Sequence, residues 1–154
     1  MPKMGQLGIA TLERLLLEIQ HESPIFPEDT DEVITLTAGG EVDTFSDWAE
    51  IAIDGNGTSF SSKVALVPAH ISGILIEDLD TKDKRYLMEI AYGDDKTAVL
   101  RHRFVSGETK KLAAIQFMRI RSEEITAGET VYYRMKCETA SATCEISLRY
   151  HPHP

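Results

Sequence analysis

The sequence predicts a mainly β protein, an antiparallel β-sandwich of jelly-roll type with one short N-terminal helix. Short runs of alternating apolar and polar residues recur from residue 32 onward, which is typical of half-buried strands. Turn-forming residues separate these runs at short intervals. Only residues 8–20 have the spacing of an amphipathic helix. About eight to ten such strands in two antiparallel sheets favour the jelly-roll topology.

The helix carries one apolar stripe, formed by Leu12, Leu15, Leu16 and Ile19. A proline-containing stretch follows it and predicts a linker. We therefore divide the chain into an arm and linker, residues 1–31, and a β domain, residues 32–154. A helix this short is marginal alone in water, so its stripe must pack on its own β domain or on a neighbouring subunit. Both interpretations remain open, and the four stripe residues are the predicted partner contact.

The next runs predict strands in order along the chain. They are Glu32–Thr37, Asp47–Ile53, Phe60–Val67, Ile71–Leu79, Tyr86–Tyr92, Ala98–Phe104 and Ile115–Arg121. The fifth and sixth fold into a hairpin whose register places Tyr86 opposite Phe104 and Ile90 opposite Leu100. The same register puts Glu89 opposite Arg101 on the outer face, a favourable cross-strand pair.

The last two strands, within residues 129–151, are predicted to form a second hairpin because both alternate with a period of two. Its register places Cys137 opposite Cys144 and Lys136 opposite Glu145. A disulfide between the two cysteines is sterically conceivable, but two buried free thiols are the preferred interpretation.

The chain has 154 residues, which favours one domain, and a formal net charge of −9. This acidic balance argues against nucleic-acid binding, which needs a concentrated basic face. Arg101, Arg103, Arg119 and Arg121 are the nearest approach to such a patch, and a solvated outer sheet face explains them. No apolar run has membrane-spanning length, so we predict no membrane association and synthesis in the cytoplasm.

No motif predicts catalysis, and we expect no cofactor and no metal. Asp54-Gly55-Asn56-Gly57-Thr58 begins like a calcium loop but is better explained as a turn. Among the histidines, His102 is expected in the core or at a sheet edge. His151 and His153 are expected in a frayed tail, and the spacing of His70, His102, His151 and His153 does not predict a metal site inside a barrel. At least four of the five tyrosines, Tyr86, Tyr92, Tyr133 and Tyr150, fall on predicted core faces.

Two stretches, YLMEIAYGDDKTAVLRHRFV (Tyr86–Val105) and MRIRSEEITAGETVYYRMKCETASATCEISLRYH (Met118–His151), carry a family resemblance. The chain over about residues 64–151 resembles the small decoration, or cement, proteins of tailed-bacteriophage capsids, without a signature motif. The resemblance implies a β-sandwich that binds the outside of an assembled shell through the major capsid protein, often as a homotrimer with an extended arm. It implies a virion location and carries no catalytic residue over.

Two other classes remain open. A carbohydrate-binding or adhesin β-sandwich module would expose aromatic side chains as a sugar platform. A phage tail or baseplate structural component would have the same sequence features as a capsid protein. An enzyme ranks last, because it would require an acid pair or histidine cluster that only folding brings together.

Overall fold

The computed structural model describes residues 24–108 and 116–154. For residues 116 and 117 it describes only the backbone. Its elements are nine strands and one short 3-10 helix, Phe60–Val64. The strands are β1 Ile25–Phe26, β2 Ile34–Thr37, β3 Ala49–Glu50, β4 Ala69–Leu79, β5 Arg85–Tyr92, β6 Thr97–Val105, β7 Gln116–Arg119, β8 Val131–Cys137 and β9 Thr143–Pro152. The predicted helical arm, including Leu12, Leu15, Leu16 and Ile19, lies outside the described residues.

The strands form two sheets in which every pairing is antiparallel, so the mainly β, antiparallel prediction is confirmed. The first sheet, sheet A, has the order β1-β9-β4-β7, and β2 also pairs with β9. The second, sheet B, has the order β3-β8-β5-β6. One buried apolar cluster draws residues from both sheets, among them Ile74, Met88, Met135 and Leu148, all fully buried.

The β5–β6 hairpin has the predicted register, with Tyr86 opposite Phe104 and Ile90 opposite Leu100. The Tyr86 and Phe104 rings stack in the core with centroids 5.0 Å apart. Gly93 and Lys96 adopt positive φ angles of 76° and 53° in the turn, a conformation that glycine tolerates best. Turn residues and alternating faces therefore agree, and this register is correctly predicted.

The predicted C-terminal hairpin is wrong. β8 pairs with β3 and β5 in sheet B, whereas β9 pairs with β1, β2 and β4 in sheet A. The chain crosses from one sheet to the other after Cys137. The alternation itself is correct, because Val131, Met135 and Cys144 are buried, but the two apolar faces meet across the core instead of side by side. The Cys144 Sγ atom lies 3.6 Å from the Met135 Sδ atom.

The crossing also changes the predicted pairs. Cys137 lies opposite Tyr86 and Cys144 opposite Leu79 and Leu36, and both cysteines are buried free thiols. Burial raises the pKa of Cys144 above its ordinary value. Lys136 lies opposite Leu87, not Glu145.

Two further segments differ from the strand predictions. Residues 60–64 form the 3-10 helix, not a strand, because Phe60 and Val64 are spaced by four residues and both point into the core. The Phe60 ring packs edge-on against Tyr150, with centroids 5.3 Å apart. Ile25–Phe26, placed in the linker from sequence, pair with β9, and Phe26 is 1% exposed. The β body therefore includes β1, and the start of the arm stays a prediction.

Candidate functional site

The outward side of sheet B carries most of the chemistry of the described residues. Strands β5, β6 and β8 lie side by side, so their alternate residues share one face. We call this the basic face. Its members are Arg85, Leu87 and Glu89 of β5, Arg101 and Arg103 of β6, and Tyr132, Arg134 and Lys136 of β8. Its five cations outnumber Glu89 and the two adjoining carboxylates that pair with Arg85 and Lys136, so the face is positive in a chain whose net charge is −9.

Glu89 lies at the centre of this face and is only 3% exposed. Its Oε1 atom is 2.9 Å from Arg101 Nε, and its Oε2 atom is 2.9 Å from Arg134 Nη2. Arg134 Nε also donates a hydrogen bond to Oε2 at 3.0 Å. The sequence predicted the pairing with Arg101 but neither the burial of Glu89 nor the second arginine. The carboxylate thus fixes two arginines in place, since a buried charge requires such partners.

Two aromatic side chains cover Arg134 from the loop between β2 and β3. Its guanidinium carbon lies 4.2 Å from the Phe45 ring centroid and 4.6 Å from that of Trp48. This loop is held against β8, because Ser46 N–H donates to Met135 O at 2.9 Å and Met135 N–H donates to Ser46 Oγ at 3.1 Å. The result is a rigid aromatic–arginine stack of the kind enriched in protein interfaces.

A cavity of about 360 Å³ opens at the edge of the basic face. Its lining residues are Asp43, Arg85, Tyr86, Leu87, Arg103, Lys136 and Glu138. Ion pairs join Arg85 to Glu138 at 3.0 Å and Lys136 to Asp43 at 3.3 Å. The pKa of Glu138 is lowered, chiefly because the Arg85 backbone N–H donates to its carboxylate. Within residues 24–108 and 116–154, Arg103 takes part in no ion pair.

The four arginines singled out from sequence do not form one patch. Arg101 and Arg103 lie on the basic face, whereas Arg119 belongs to β7 of sheet A and Arg121 follows that strand. Both β6 arginines are exposed, as expected of an outer sheet face. Sequence reasoning missed Arg134 and Lys136, whose alternate positions on β8 were the available signal.

Other sequence predictions have clear outcomes. Tyr86, Tyr133 and Tyr150 are buried, and Tyr92 is partly buried against the core, as predicted. His102 is buried at 7% exposure, and this burial lowers its pKa. The predicted turn at Asp54 is confirmed. The Asp54 side chain also accepts a hydrogen bond from the Thr35 backbone N–H at 3.2 Å.

The C-terminal histidines are not a frayed tail. β9 continues through Pro152, and the His153 N–H donates to the Pro68 carbonyl at 2.8 Å. His151 lies directly opposite His70 across the β9–β4 pair. The topology therefore brings three histidines together that their sequence spacing did not connect.

Comparison with known proteins finds no matching protein family, no similar curated protein and no similar solved structure. Among the described residues, no helix has the length and apolar character needed to cross a membrane.

Proposed function

We propose that this chain is a non-enzymatic virion structural protein that decorates and stabilises an assembled phage capsid through protein–protein contacts. The observation that carries the proposal is the basic face, a positively charged surface on a molecule whose net charge is negative. Arginine and aromatic residues are over-represented in interfaces, and complementary charge steers association. The partner is the major capsid protein, which would present acidic groups to this face. The protein would be made in the host cytoplasm and end on the capsid surface.

We also propose that the two sheets pack as a β-sandwich of jelly-roll type. Strand order supports this: β2, β9, β4 and β7 belong to one sheet, and β3, β8, β5 and β6 to the other. The chain passes repeatedly between the sheets, as in a double-sheet jelly roll, an architecture that viral capsid and lectin domains use. Fold alone does not assign function, so the contact surface has to carry the functional argument.

The test is co-sedimentation of the full chain with assembled capsids of the phage that encodes it. We expect Arg103→Glu to weaken capsid binding roughly tenfold, because it places a negative charge where an acidic partner group would lie. Arg103 is the right position because its side chain is exposed and makes no ion pair within the described residues. A higher salt concentration should also weaken capsid binding by the wild-type protein, because salt screens attraction between exposed charges.

Arg119→Glu is the matched control, since Arg119 is an exposed arginine on a strand of the other sheet. It changes the net charge by the same amount and should leave capsid binding unchanged. Equal losses in both variants would point to a non-specific charge effect. Full binding by Arg103→Glu would contradict the proposed face.

The arm is the second proposed contact. Replacing Leu15 and Leu16 with Ser removes apolar area worth about 25 cal/mol per Å² from the predicted stripe. We expect the β domain to stay folded. We expect the proposed homotrimer to become less stable, which light scattering would measure, or the binding to capsids to weaken. Unchanged assembly would contradict a contact role for the arm. Loss of the β-sheet circular dichroism signal would instead assign the stripe to the β domain's own core.

A carbohydrate-binding or adhesin module is the second candidate, favoured by the partly exposed Phe45, Trp48 and Tyr132 on one face. Cations already lie over these rings: Arg134 over Phe45 and Trp48, and Lys96 over Tyr132 at 4.2 Å. That occupancy disfavours sugar stacking. Glycan-array binding by the wild type that Trp48→Ala abolishes would reverse the ranking of the two candidates.

A basic face that binds a protein partner would equally fit a phage tail or baseplate structural component. Antibody labelling of intact virions distinguishes the locations, because label on the shell supports the capsid proposal and label on the tail alone overturns it.

A further inference from the structure

A cluster of three histidines lies on the outward side of sheet A, away from the basic face. His151 and His153 are two residues apart on and just after β9, so they point to the same side, and His70 lies opposite His151 on β4. The three ring centroids are 4.8 Å (His70–His153), 5.2 Å (His70–His151) and 5.3 Å (His151–His153) apart. Three imidazoles around one tetrahedral ion, with metal–nitrogen bonds of about 2.0–2.1 Å, have centroids about 5 Å apart.

A carboxylate holds one of these rings in the orientation that metal-binding histidines commonly have. His153 Nδ1 lies 3.2 Å from Glu124 Oε2, and its Nε2 atom faces His70 Nδ1 at 2.7 Å. Donation from Nδ1–H to Glu124 leaves the Nε2 lone pair directed at the centre of the cluster. A hydrogen bond of this kind from the second nitrogen is the usual support of a metal-ligating histidine.

We propose that His70, His151 and His153 bind one divalent transition-metal ion of the zinc class, with Glu124 orienting His153. Three imidazoles suit zinc, copper, nickel or cobalt better than magnesium or calcium, which prefer oxygen ligands. Water completes the coordination, since the His153 side chain is 41% exposed. His151 binds through one ring nitrogen, and its other nitrogen remains able to keep a hydrogen bond.

Binding requires a small rearrangement. As placed, the described residues contain no group of three or more His, Cys, Asp or Glu arranged to hold a metal ion. At this cluster the 2.7 Å between His70 Nδ1 and His153 Nε2 is a hydrogen bond, whereas two nitrogen ligands of one ion lie about 3.3 Å apart. Side-chain rotation that separates them by about 0.6 Å converts one arrangement into the other. The proton on His70 Nδ1 moves to its Nε2 through solvent, so that Nδ1 gains a free lone pair and the charge balance is unchanged.

The surrounding charges act in both directions. Arg121 lies close enough to His70 to disfavour a cation there, whereas Glu124 favours one. The ion would connect the beginning of β4 to the end of β9. It therefore stabilises the folded chain by mass action, because the unfolded chain does not hold the three rings together.

The experiment is isothermal titration of the full chain with Zn²⁺, followed by Co²⁺ absorption to report the coordination geometry. We expect one ion per chain, a higher Tm with Zn²⁺, and the strong visible absorption of tetrahedral cobalt. His70→Gln and His153→Gln should each weaken the affinity more than tenfold, and Glu124→Gln about tenfold. His102→Gln is the control, since His102 lies on β6 of sheet B, away from the cluster on sheet A, and this variant should bind Zn²⁺ as the wild type does.

Absence of Zn²⁺ binding by the wild type would overturn the proposal. Equal affinity in the His70→Gln and wild-type chains would also overturn it, and so would a loss in His102→Gln as large as in His153→Gln. Circular dichroism checks the fold of each variant. Glu124→Gln keeps all three rings, so it tests the site even where a histidine variant fails to fold.

Discussion

At the scale of single residues, Glu89 shows what the sequence reveals and what it conceals. The hairpin register predicted its position opposite Arg101, because alternation and turn chemistry agree there. Nothing local predicted Arg134, which comes from a strand 45 positions later, or the aromatic pair from a loop 41 to 44 residues earlier. Contacts between distant strands depend on sheet order, which periodicity does not encode.

The two arginines should differ in their effect on stability. Arg134→Met removes two hydrogen bonds and the aromatic stack from a buried carboxylate, so we expect a loss of about 2–4 kcal/mol in the free energy of unfolding. Arg101→Met removes one contact from an arginine whose side chain is 65% exposed, so we expect about 1 kcal/mol or less. Urea denaturation of both variants measures the difference. Equal losses would mean that Glu89 does not depend on Arg134 more than on Arg101.

His102 should make stability depend on pH. Burial lowers its pKa from the ordinary 6.5, so the unfolded state binds the proton more readily than the folded state. Its contribution is therefore present in full above about pH 6.5 and is lost as the pH falls below that value. We expect His102→Phe, which can keep the packing on Phe104, to lose less stability than the wild type between about pH 7.5 and pH 5.5. Urea denaturation at several pH values measures this change. An equal change in the free energy of unfolding in both proteins would show that His102 does not cause the pH dependence.

At the scale of elements, the loop between β2 and β3 is held in place by a close backbone approach at Gly39. A Cβ atom there would collide with the carbonyl oxygen of Thr44 and the backbone of Phe45. The loop turns back on itself at this point and thereby delivers Phe45 and Trp48 to Arg134. Adjacent Gly40 has open space around the same position.

Gly39→Ala should therefore displace the loop, whereas Gly40→Ala should not. We expect Gly39→Ala to lower stability by about 1–3 kcal/mol through the forced backbone shift. Trp48 is the only tryptophan of the chain, so its fluorescence reports directly on the loop. We expect the Trp48 emission maximum to shift to longer wavelength and its fluorescence anisotropy to fall in Gly39→Ala. We expect neither change in Gly40→Ala. Identical spectra in the two variants would show that the loop does not depend on this contact.

The β8–β9 connection marks the limit of strand prediction. Alternating residues correctly identified the buried faces of both strands, because burial has the same signature in any sheet arrangement. A turn that joins two neighbours and a crossing that joins two sheets differ only in a few connecting residues. Ser141, with a φ angle of 55°, lies in that connection and is compatible with both. The 3-10 helix escaped prediction for a related reason, since a five-residue run is too short to separate the two periods.

At the scale of the whole molecule, charge is distributed unevenly. The basic face occupies sheet B, whereas Glu77 and Asp78 of β4 lie near Glu145 of β9 on sheet A, together with Asp54 of a neighbouring turn. Burial, followed by the three other carboxylates, raises the pKa of Glu145. The net charge of −9 follows directly from the sequence. The separation of positive and negative residues between the two sheets does not, because the sequence does not show to which sheet each strand belongs. Overall acidity therefore argued too strongly against a basic surface, although it remains consistent with a protein partner.

The pairing of β1 with the end of β9 brings the two ends of the described body to one edge. Tyr150 N–H donates to the Pro24 carbonyl at 3.1 Å, so the chain enters the body beside the point where it leaves. Ends this close permit circular permutation and terminal fusion without disturbing the interior. A reporter domain attached after Pro154 would consequently sit on the same edge as Pro24, where the described body begins. A second display position would need an insertion elsewhere, for example in the exposed turn at Gly55–Asn56.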